Sequence, residues 1–214
     1  MRRTSRTTLL ILLAGFAIHA FAGASLKRES SSTNARTLEL STSVAEAYSC
    51  APKSMALRLR LSYKNTGTEP LIIDKRAVKI VDRYMVSRNL KDATNRNYVV
   101  EMRAEDFGGN YGWDAKTEPA WSGFALLQPG EAYEIDDRSA TTTFIVDDDR
   151  PNAKGSLFAG DYFLQVQVDT WSYSGNAVEL RRRWKDQGYL WSNPLISTPM
   201  SFSVQKSRQI RPCP

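Results

Sequence analysis

Alternation of apolar and polar side chains over residues 57–64 constrains the fold more than any other feature of the chain. The apolar positions of this stretch, LRLRLSYK, are Leu57, Leu59, Leu61 and Tyr63. Because successive side chains of a β-strand point to opposite faces of the sheet, this period of two predicts a strand with one buried and one solvated face. An Asn-Thr-Gly turn follows and Pro70 opens a second apolar run, so residues 57–73 predict a β-hairpin.

The same period recurs in other segments, which are separated by Gly, Pro and Asn turns. The additional strand candidates are residues 36–42, 77–86, 97–103, 141–146, 160–171 and 200–205, and residues 124–135 as two strands around a Pro-Gly turn. Residues 176–188 differ, because they begin at an Asn cap, contain good helix formers and end at Gly188. The chain is therefore predicted to be all-β, an antiparallel immunoglobulin-like β-sandwich with one short helix between the last two strands.

The first residues have the features of a secretory signal peptide. Arg2, Arg3 and Arg6 precede an apolar segment, Leu9–Phe21, that is too short to cross a bilayer. An Ala-Phe-Ala site at the end of this segment predicts cleavage there, and cleavage after Ala24 is the alternative.

This reading divides the chain into a signal peptide (1–22), a flexible polar lead-in (23–36) and a single β-sandwich domain (37–214). No later apolar run is long enough for a membrane helix, so we expect no membrane insertion. The expected location is periplasmic or extracellular.

Export would remove half of the net positive charge of the chain. The whole sequence carries 29 Lys and Arg against 23 Asp and Glu, but three of the basic residues lie in the signal segment. The positive excess that remains is too small to indicate nucleic-acid binding.

The chain has two cysteines, Cys50 and Cys213. An even number of cysteines in an exported protein predicts disulfide bonding, so we expect one bridge between them. The alternative is that Cys213, one residue from the end of the chain, stays free or pairs between chains.

Several motifs resemble those of known β-sandwich families. Gly160 and Tyr162 resemble the tyrosine corner of immunoglobulin-like domains, which would make Tyr162 the corner residue. An N-x-G-x-x-P-L motif, an L-x-P-G-E turn and a G-x-Y strand follow one another in an order similar to that of exported bacterial sandwich proteins and of the bacterial intracellular proteinase inhibitor (BsuPI) family, over residues 55–170. The turn residues are Asn65, Gly67, Pro70 and Leu71, then Leu127, Pro129, Gly130 and Glu131. The resemblance implies a fold, because these are turn and strand residues and not inhibitory ones.

The residue inventory excludes several kinds of catalysis. The only histidine, His19, lies in the signal segment, so Ser-His-Asp and Cys-His catalysis and His-containing zinc sites are excluded for the mature chain. Carboxylate or Ser-Lys chemistry remains, but no motif defines its geometry. The acidic runs 136–137 and 147–149 lack EF-hand spacing, and solvated turns are the favoured interpretation over calcium binding. We expect no enzyme activity, no cofactor and no metal.

Aromatic residues concentrate in predicted loops and are the best candidates for a ligand surface, because loop aromatics contact sugar faces and protein partners. The candidates are Trp113, Trp121, Trp171 and Tyr173. Trp184 and Trp191 are instead expected to form a secondary core beneath the helix.

The predicted helix also carries a basic face, formed by Arg181, Arg182, Arg183 and Lys185. A solvated helix face is the simplest interpretation, and contact with acidic glycans or a phosphate-bearing surface is the alternative.

The sequence thus predicts an exported, non-enzymatic binding or scaffolding protein with an unknown protein or glycan partner. Two alternatives remain open: a proteinase inhibitor acting through the long loop 104–122, and a carboxylate-dependent glycan-active protein.

Overall fold

β-Strands are the main regular structure of the computed structural model, which describes residues 35–103, 120–135, 140–150, 155–171, 177–205 and 210–214. The strands are β1 (Leu38–Ala51), β2 (Ser54–Asn65), β3 (Leu71–Asp74), β4 (Val81–Ser87), β5 (Val100–Arg103), β6 (Phe124–Leu127), β7 (Ala132–Ile135), β8 (Thr141–Ile145), β9 (Gly160–Val168), β10 (Tyr189–Leu190), β11 (Leu195–Ile196) and β12 (Met200–Val204). The helices are α1 (Leu90–Thr94) and α2 (Ala177–Arg183). The predicted signal peptide and most of the predicted lead-in lie outside the described residues.

The strands form three sheets, and nearly all of their pairings are antiparallel. In the first sheet β2 pairs with β1 along one edge and with β7 and β8 along the other. The second sheet has the order β10-β3-β6, with β10 parallel to β3. The third has the order β11-β9-β4-β5. Strand β11 pairs with the last two residues of β9, and β12 pairs with the first five. An all-β chain with antiparallel sheets is the predicted class.

The predicted hairpin over residues 57–73 is wrong in its pairing. The two strands and the turn are present, but β2 belongs to the first sheet and β3 to the second. The two strands predicted in residues 124–135 are present, and they too lie in different sheets, because β6 pairs with β3 and β7 pairs with β2. Each turn therefore carries the chain from one sheet to another.

Asn65 holds these two turns together. Its side-chain amide donates to the carbonyl oxygens of Glu69 (2.8 Å) and Leu127 (3.0 Å), and its Oδ1 accepts from the Gly67 amide at 3.0 Å. Its backbone also accepts a hydrogen bond from Gly130 at 2.8 Å. Local turn signals predict the turns correctly, whereas the strand partners depend on this buried long-range network.

The alternating patterns predict the buried faces correctly. The four apolar positions of the opening stretch are fully buried, as are their counterparts in β9. These residues form one core cluster with side chains from all three sheets. A one-residue shift along a strand would move every side chain to the other face of the sheet. The observed burial therefore confirms which face of β2 and of β9 was predicted to be buried.

The helices differ from the prediction in number and place. α2 ends at Arg183 and turns continue from there to Gln187, because Gln187 and Gly188 both donate backbone hydrogen bonds to the Trp184 carbonyl. Two short strands, β10 and β11, separate it from the final strand, so it does not directly join the last two strands. A second helix, α1, forms in a segment predicted as a polar connection, where Asn89 caps it by accepting from the Asp92 amide at 2.9 Å.

Tyr162 makes the contacts of a tyrosine corner. Its hydroxyl donates to the Phe158 carbonyl at 3.1 Å and accepts from the Phe158 amide at 3.2 Å, while the side chain is buried. The bond runs back to the backbone four residues upstream, as in the corner of immunoglobulin-like domains.

Cys50 and Cys213 form the predicted disulfide, with 163 residues of sequence separation. Cys50 lies near the end of β1, so the bridge joins the C-terminal segment to that strand. Arg211 supports this attachment, because its amide donates to the Ser49 carbonyl at 3.0 Å and its guanidinium contacts Glu46.

Candidate functional site

The aromatic residues near α2 form a small second core. Trp184 is almost fully buried and its ring centre lies 4.8 Å from that of Phe124. Trp121 packs edge-on against Trp184 at 5.0 Å and keeps 42% of its surface exposed. Leu180 completes the contact with the helix. The expectation that Trp184 belongs to a secondary core is confirmed.

Of the four predicted ligand-binding residues, the described structure places two, Trp121 and Trp171, against the same second core. Trp121 is exposed on the second core, and Trp171 is half-buried against the same core. Trp113 and Tyr173 lie outside the described residues, as does nearly all of the loop 104–122. The expectation that Trp191 belongs to the same secondary core is wrong, because Trp191 packs against the main core and its indole N–H donates to the Asn193 carbonyl at 2.8 Å.

A basic pocket opens beside the end of α2, where strand β10 begins. Gly188 marks the change of direction, and a Cβ at this position would lie 2.9 Å from the Pro70 carbonyl oxygen. The next residue, Tyr189, donates its backbone N–H to the same carbonyl at 2.9 Å, which starts the parallel pairing of β10 with β3. The close approach permitted by glycine therefore places the Tyr189 ring next to the turn that follows β2.

Two guanidinium groups lie over the Tyr189 ring. The Arg36 carbon Cζ is 4.4 Å from the ring centre and the Arg181 carbon Cζ is 4.6 Å from it. Both distances are in the range of a cation–π interaction. Arg181 is also held by a hydrogen bond from its Nε to the Leu190 carbonyl (2.8 Å) and by a contact with the Ser192 hydroxyl. This arginine is consequently fixed in orientation by neutral partners.

The second arginine of the pocket comes from the distant N-terminal part of the chain. Ala35 accepts hydrogen bonds from the amides of Thr68 and Glu69, and Thr37 accepts two more from the same turn. A Cβ on Gly67 would lie 2.6 Å from the Ala35 oxygen, so the segment can approach this turn only because residue 67 is glycine. Between these anchors Arg36 donates to the Glu69 carboxylate at 2.6 Å.

We call this site the arginine–tyrosine pocket; its volume is about 480 Å³. Its lining includes Arg36, Arg181, Arg182, Lys185, Glu69, Asp186, Pro70, Gln187, Gly188 and Tyr189. Four basic side chains therefore face two acidic ones. Among the residues that the structure describes, no carboxylate forms an ion pair with Arg182 or Lys185, both of which are exposed. The pocket thus carries uncompensated positive charge in a small concave space.

Only part of this site was accessible to sequence reasoning. The four residues of the predicted basic helix face do not share one environment. Arg181, Arg182 and Lys185 line the pocket, whereas Arg183 pairs with Glu179. Tyr189 and Arg36 were missed. They lie more than a hundred residues apart in the sequence, and no local pattern links them. The available sequence signal was Gly67, because a glycine in a turn can allow another segment, here the one that carries Arg36, to approach closely.

The acidic run 147–149 forms an ion-pair network. Asp147 is buried and contacts Lys53 at 3.3 Å and Arg150 at 2.9 Å, and Lys53 also reaches Asp149 at 3.1 Å. Burial alone would raise the pKa of Asp147, but the hydrogen bonds from Arg150 and Lys53 outweigh it and hold that pKa below 3.8. Within the described ranges no group of three or more His, Cys, Asp or Glu side chains is placed to hold a metal ion.

Two other carboxylates, those of Asp82 and Asp169, interact electrostatically at the end of β9. The Gln167 amide donates to Asp82 at 3.2 Å, and Asp169 interacts with the same amide. Burial and then the Asp82 charge raise the pKa of Asp169, against the opposing effects of Gln167 and two nearby arginines. Sequence reasoning had found no defined carboxylate pair, because Asp82 lies in β4 and Asp169 directly follows β9, far away in the sequence.

None of the helices in the described part of the chain has the length and apolarity needed to span a membrane. Comparison with known proteins finds no family model that matches the chain, and no curated protein or solved structure with significant similarity to it.

Proposed function

We propose that the protein is an exported, non-enzymatic binding protein and that the arginine–tyrosine pocket is its ligand site. One observation carries the proposal: two guanidinium groups lie 4.4 and 4.6 Å from the centre of one tyrosine ring beside an open pocket with further basic charge. A pocket of this volume is typical of small-molecule sites, and charged groups inside such sites fix ligand orientation.

The scaffold supports a binding role for this pocket. Its walls come from three separate parts of the chain, and each part is anchored by backbone hydrogen bonds to the β-structure around it. A site that is already formed loses less entropy when it binds a ligand. We further propose that the sheets form an immunoglobulin-like sandwich, which the shared core cluster and the corner contacts of Tyr162 support.

Export rests on the predicted signal segment and is supported by the disulfide, since such bonds persist in oxidising compartments. The non-enzymatic role rests on the absence of histidine outside that segment and on the oxidised state of both cysteines.

The experiment is a thermal-shift screen of the mature protein against a broad library of neutral sugars, sugar acids, dicarboxylates, phosphates and short peptides. We expect at least one compound to raise Tm for the parent and not for an Arg182→Gln/Lys185→Gln variant. The control is Lys91→Gln, which removes an exposed charge far from the pocket lining. No hit in the library, or hits that stabilise parent and pocket variant equally, would contradict the proposal.

The N-terminal anchor provides a second test. In Gly67→Ala the new Cβ would collide with the Ala35 oxygen at 2.6 Å and the Thr37 nitrogen at 2.8 Å, so the segment that carries Arg36 must move. We expect this variant to lose ligand binding while keeping its fold, as judged by its far-UV spectrum. Gly123→Ala is the matched control, because a Cβ there meets no atom within 4 Å.

The carboxylate pair at the end of β9 favours a second candidate, a glycan-active enzyme. Asp169 is exposed, and partial desolvation together with the Asp82 charge raises its pKa, which is the character of a general acid that a substrate can reach. Release of reducing sugar from a polysaccharide panel, lost in Asp169→Asn, would support this candidate. Absence of turnover across the panel would leave the binding role as the better account.

A further inference from the structure

The charge of the arginine–tyrosine pocket selects for an anion. Four basic side chains line it against Glu69 and Asp186, and Glu69 is already engaged by Arg36. Arg182 and Lys185 are exposed along its rim. An anionic group that enters the pocket can interact with these charges without displacing an existing partner of either side chain, as far as the described residues show.

The kind of donor present favours a carboxylate. The end of α2 that faces the pocket is its carboxyl end, which presents carbonyl groups and not the N–H groups that bind phosphate at helix amino ends. Recognition must therefore come from side chains. Guanidinium groups pair with carboxylate and phosphate alike through two parallel hydrogen bonds, and Arg181 is already held in place by Leu190 and the Tyr189 ring. The partial negative charge at the carboxyl end of α2 disfavours a doubly charged phosphate more than a singly charged carboxylate.

The acidic side chains of the pocket indicate what else the ligand carries. A ligand that consisted only of anionic groups would be repelled by Asp186 and Glu69. Hydroxyl groups, in contrast, donate hydrogen bonds to carboxylates, and the Gln187 amide offers both a donor and an acceptor. The combination fits a molecule whose units each carry one acidic group and several hydroxyls.

We propose that the ligand is a carboxylate-bearing sugar of the uronic acid class, bound with its carboxylate toward the arginines. This inference rests on the proposed function, because it assigns a substrate class to the same pocket. The pocket volume of about 480 Å³ suits a sugar unit or a short oligosaccharide end.

The test is isothermal titration of the mature protein with four probes: galacturonic acid dimer, the corresponding neutral disaccharide, galactose 6-phosphate and tricarballylate. Galacturonic acid dimer should bind at least about tenfold more tightly than each of the other three. Its affinity should fall about tenfold in Arg182→Gln and should remain unchanged in Lys91→Gln. The affinity should also fall as salt is raised, since the interaction is between exposed charges.

The possible results test the ligand class and the location of the binding site separately. Tighter binding of galactose 6-phosphate or tricarballylate, with the same loss in Arg182→Gln, would overturn the uronic acid assignment and leave the pocket as the ligand site. If no titration probe binds, but another library compound binds the parent and not the Arg182→Gln/Lys185→Gln variant, the uronic acid assignment is also overturned and the pocket remains the ligand site. Binding of the uronic acid dimer that Arg182→Gln leaves unchanged would overturn the pocket as the site, and with it the proposed function.

Discussion

Replacement of Asn65 by alanine tests whether this one side chain joins the turns that lead from β2 to β3 and from β6 to β7. The residue is fully buried and its amide makes three hydrogen bonds, two of them buried and one partly buried. A buried polar group left without its partner costs about 1–3 kcal/mol, and a typical hydrogen bond contributes about 0.5–1.5 kcal/mol net. Asn65→Ala should therefore lower the free energy of unfolding by about 3–6 kcal/mol.

Asn65→Asp separates the hydrogen bonds from the shape of the side chain. The aspartate can still accept from Gly67, but its ionised form presents oxygen to the carbonyl groups of Glu69 and Leu127. Burial raises the pKa of such a carboxyl above its ordinary value of about 4. Its protonated form can donate one bond, so the deficit relative to the parent should be smallest below about pH 4 and should grow as pH rises through the raised pKa.

The assay is urea unfolding at pH 7 and pH 4, followed by tryptophan fluorescence with the disulfide intact. Asn193→Ala is the control, because that side chain is exposed, and it should change the free energy of unfolding by less than about 0.5 kcal/mol. The reasoning is refuted if Asn65→Ala stays within about 1 kcal/mol of the parent. It is equally refuted if the aspartate variant becomes more stable relative to the parent as pH rises.

Three further predictions follow from the core, the disulfide and the acidic network. Leu59 is fully buried, whereas Arg60 is exposed and has a surface interaction, so Leu59→Ala should cost about 2–5 kcal/mol and Arg60→Ala about 1 kcal/mol or less in denaturant unfolding; a loss for Arg60→Ala larger than that for Leu59→Ala would invalidate the assigned faces. Reduction of the bridge between Cys50 and Cys213 should lower stability by about 2–5 kcal/mol, and unfolding curves that coincide with and without reductant would argue against a stabilising role. The pKa of Asp147 is held below its ordinary value, so its ionised form stabilises the fold near neutral pH and this contribution is lost as pH falls through the lowered pKa. The free energy of unfolding of Asp147→Asn should therefore fall less steeply in acid than that of the parent. Parallel pH profiles for the two proteins would contradict this.

Reduction of the disulfide has a local consequence as well. The bridge holds a C-terminal segment in which Arg211 bonds to the edge of β1 and contacts Glu46. Amide hydrogen exchange at Ser49 and its neighbours should increase after reduction if the bridge secures that segment.

What the sequence determined by itself is the local part of the fold. Alternation over 57–64 and 160–168 identified the strands and their buried faces, because the period of a strand is a property of the backbone and its burial follows from side-chain polarity. The disulfide followed from having two cysteines in an expected oxidising compartment. The position of Tyr162 likewise predicted a bond to a carbonyl only four residues away.

Only the tertiary structure decided which strands are partners and where a pocket forms. The turn at Asn65 reads locally as a hairpin, yet buried bonds to Leu127 send its two strands into different sheets. The pocket depends on Arg36 and Tyr189 meeting across most of the chain, at a contact that Gly67 permits. Turn chemistry and periodicity act over a few residues, whereas partner choice depends on burial and hydrogen bonds between distant segments, which only the folded chain brings together.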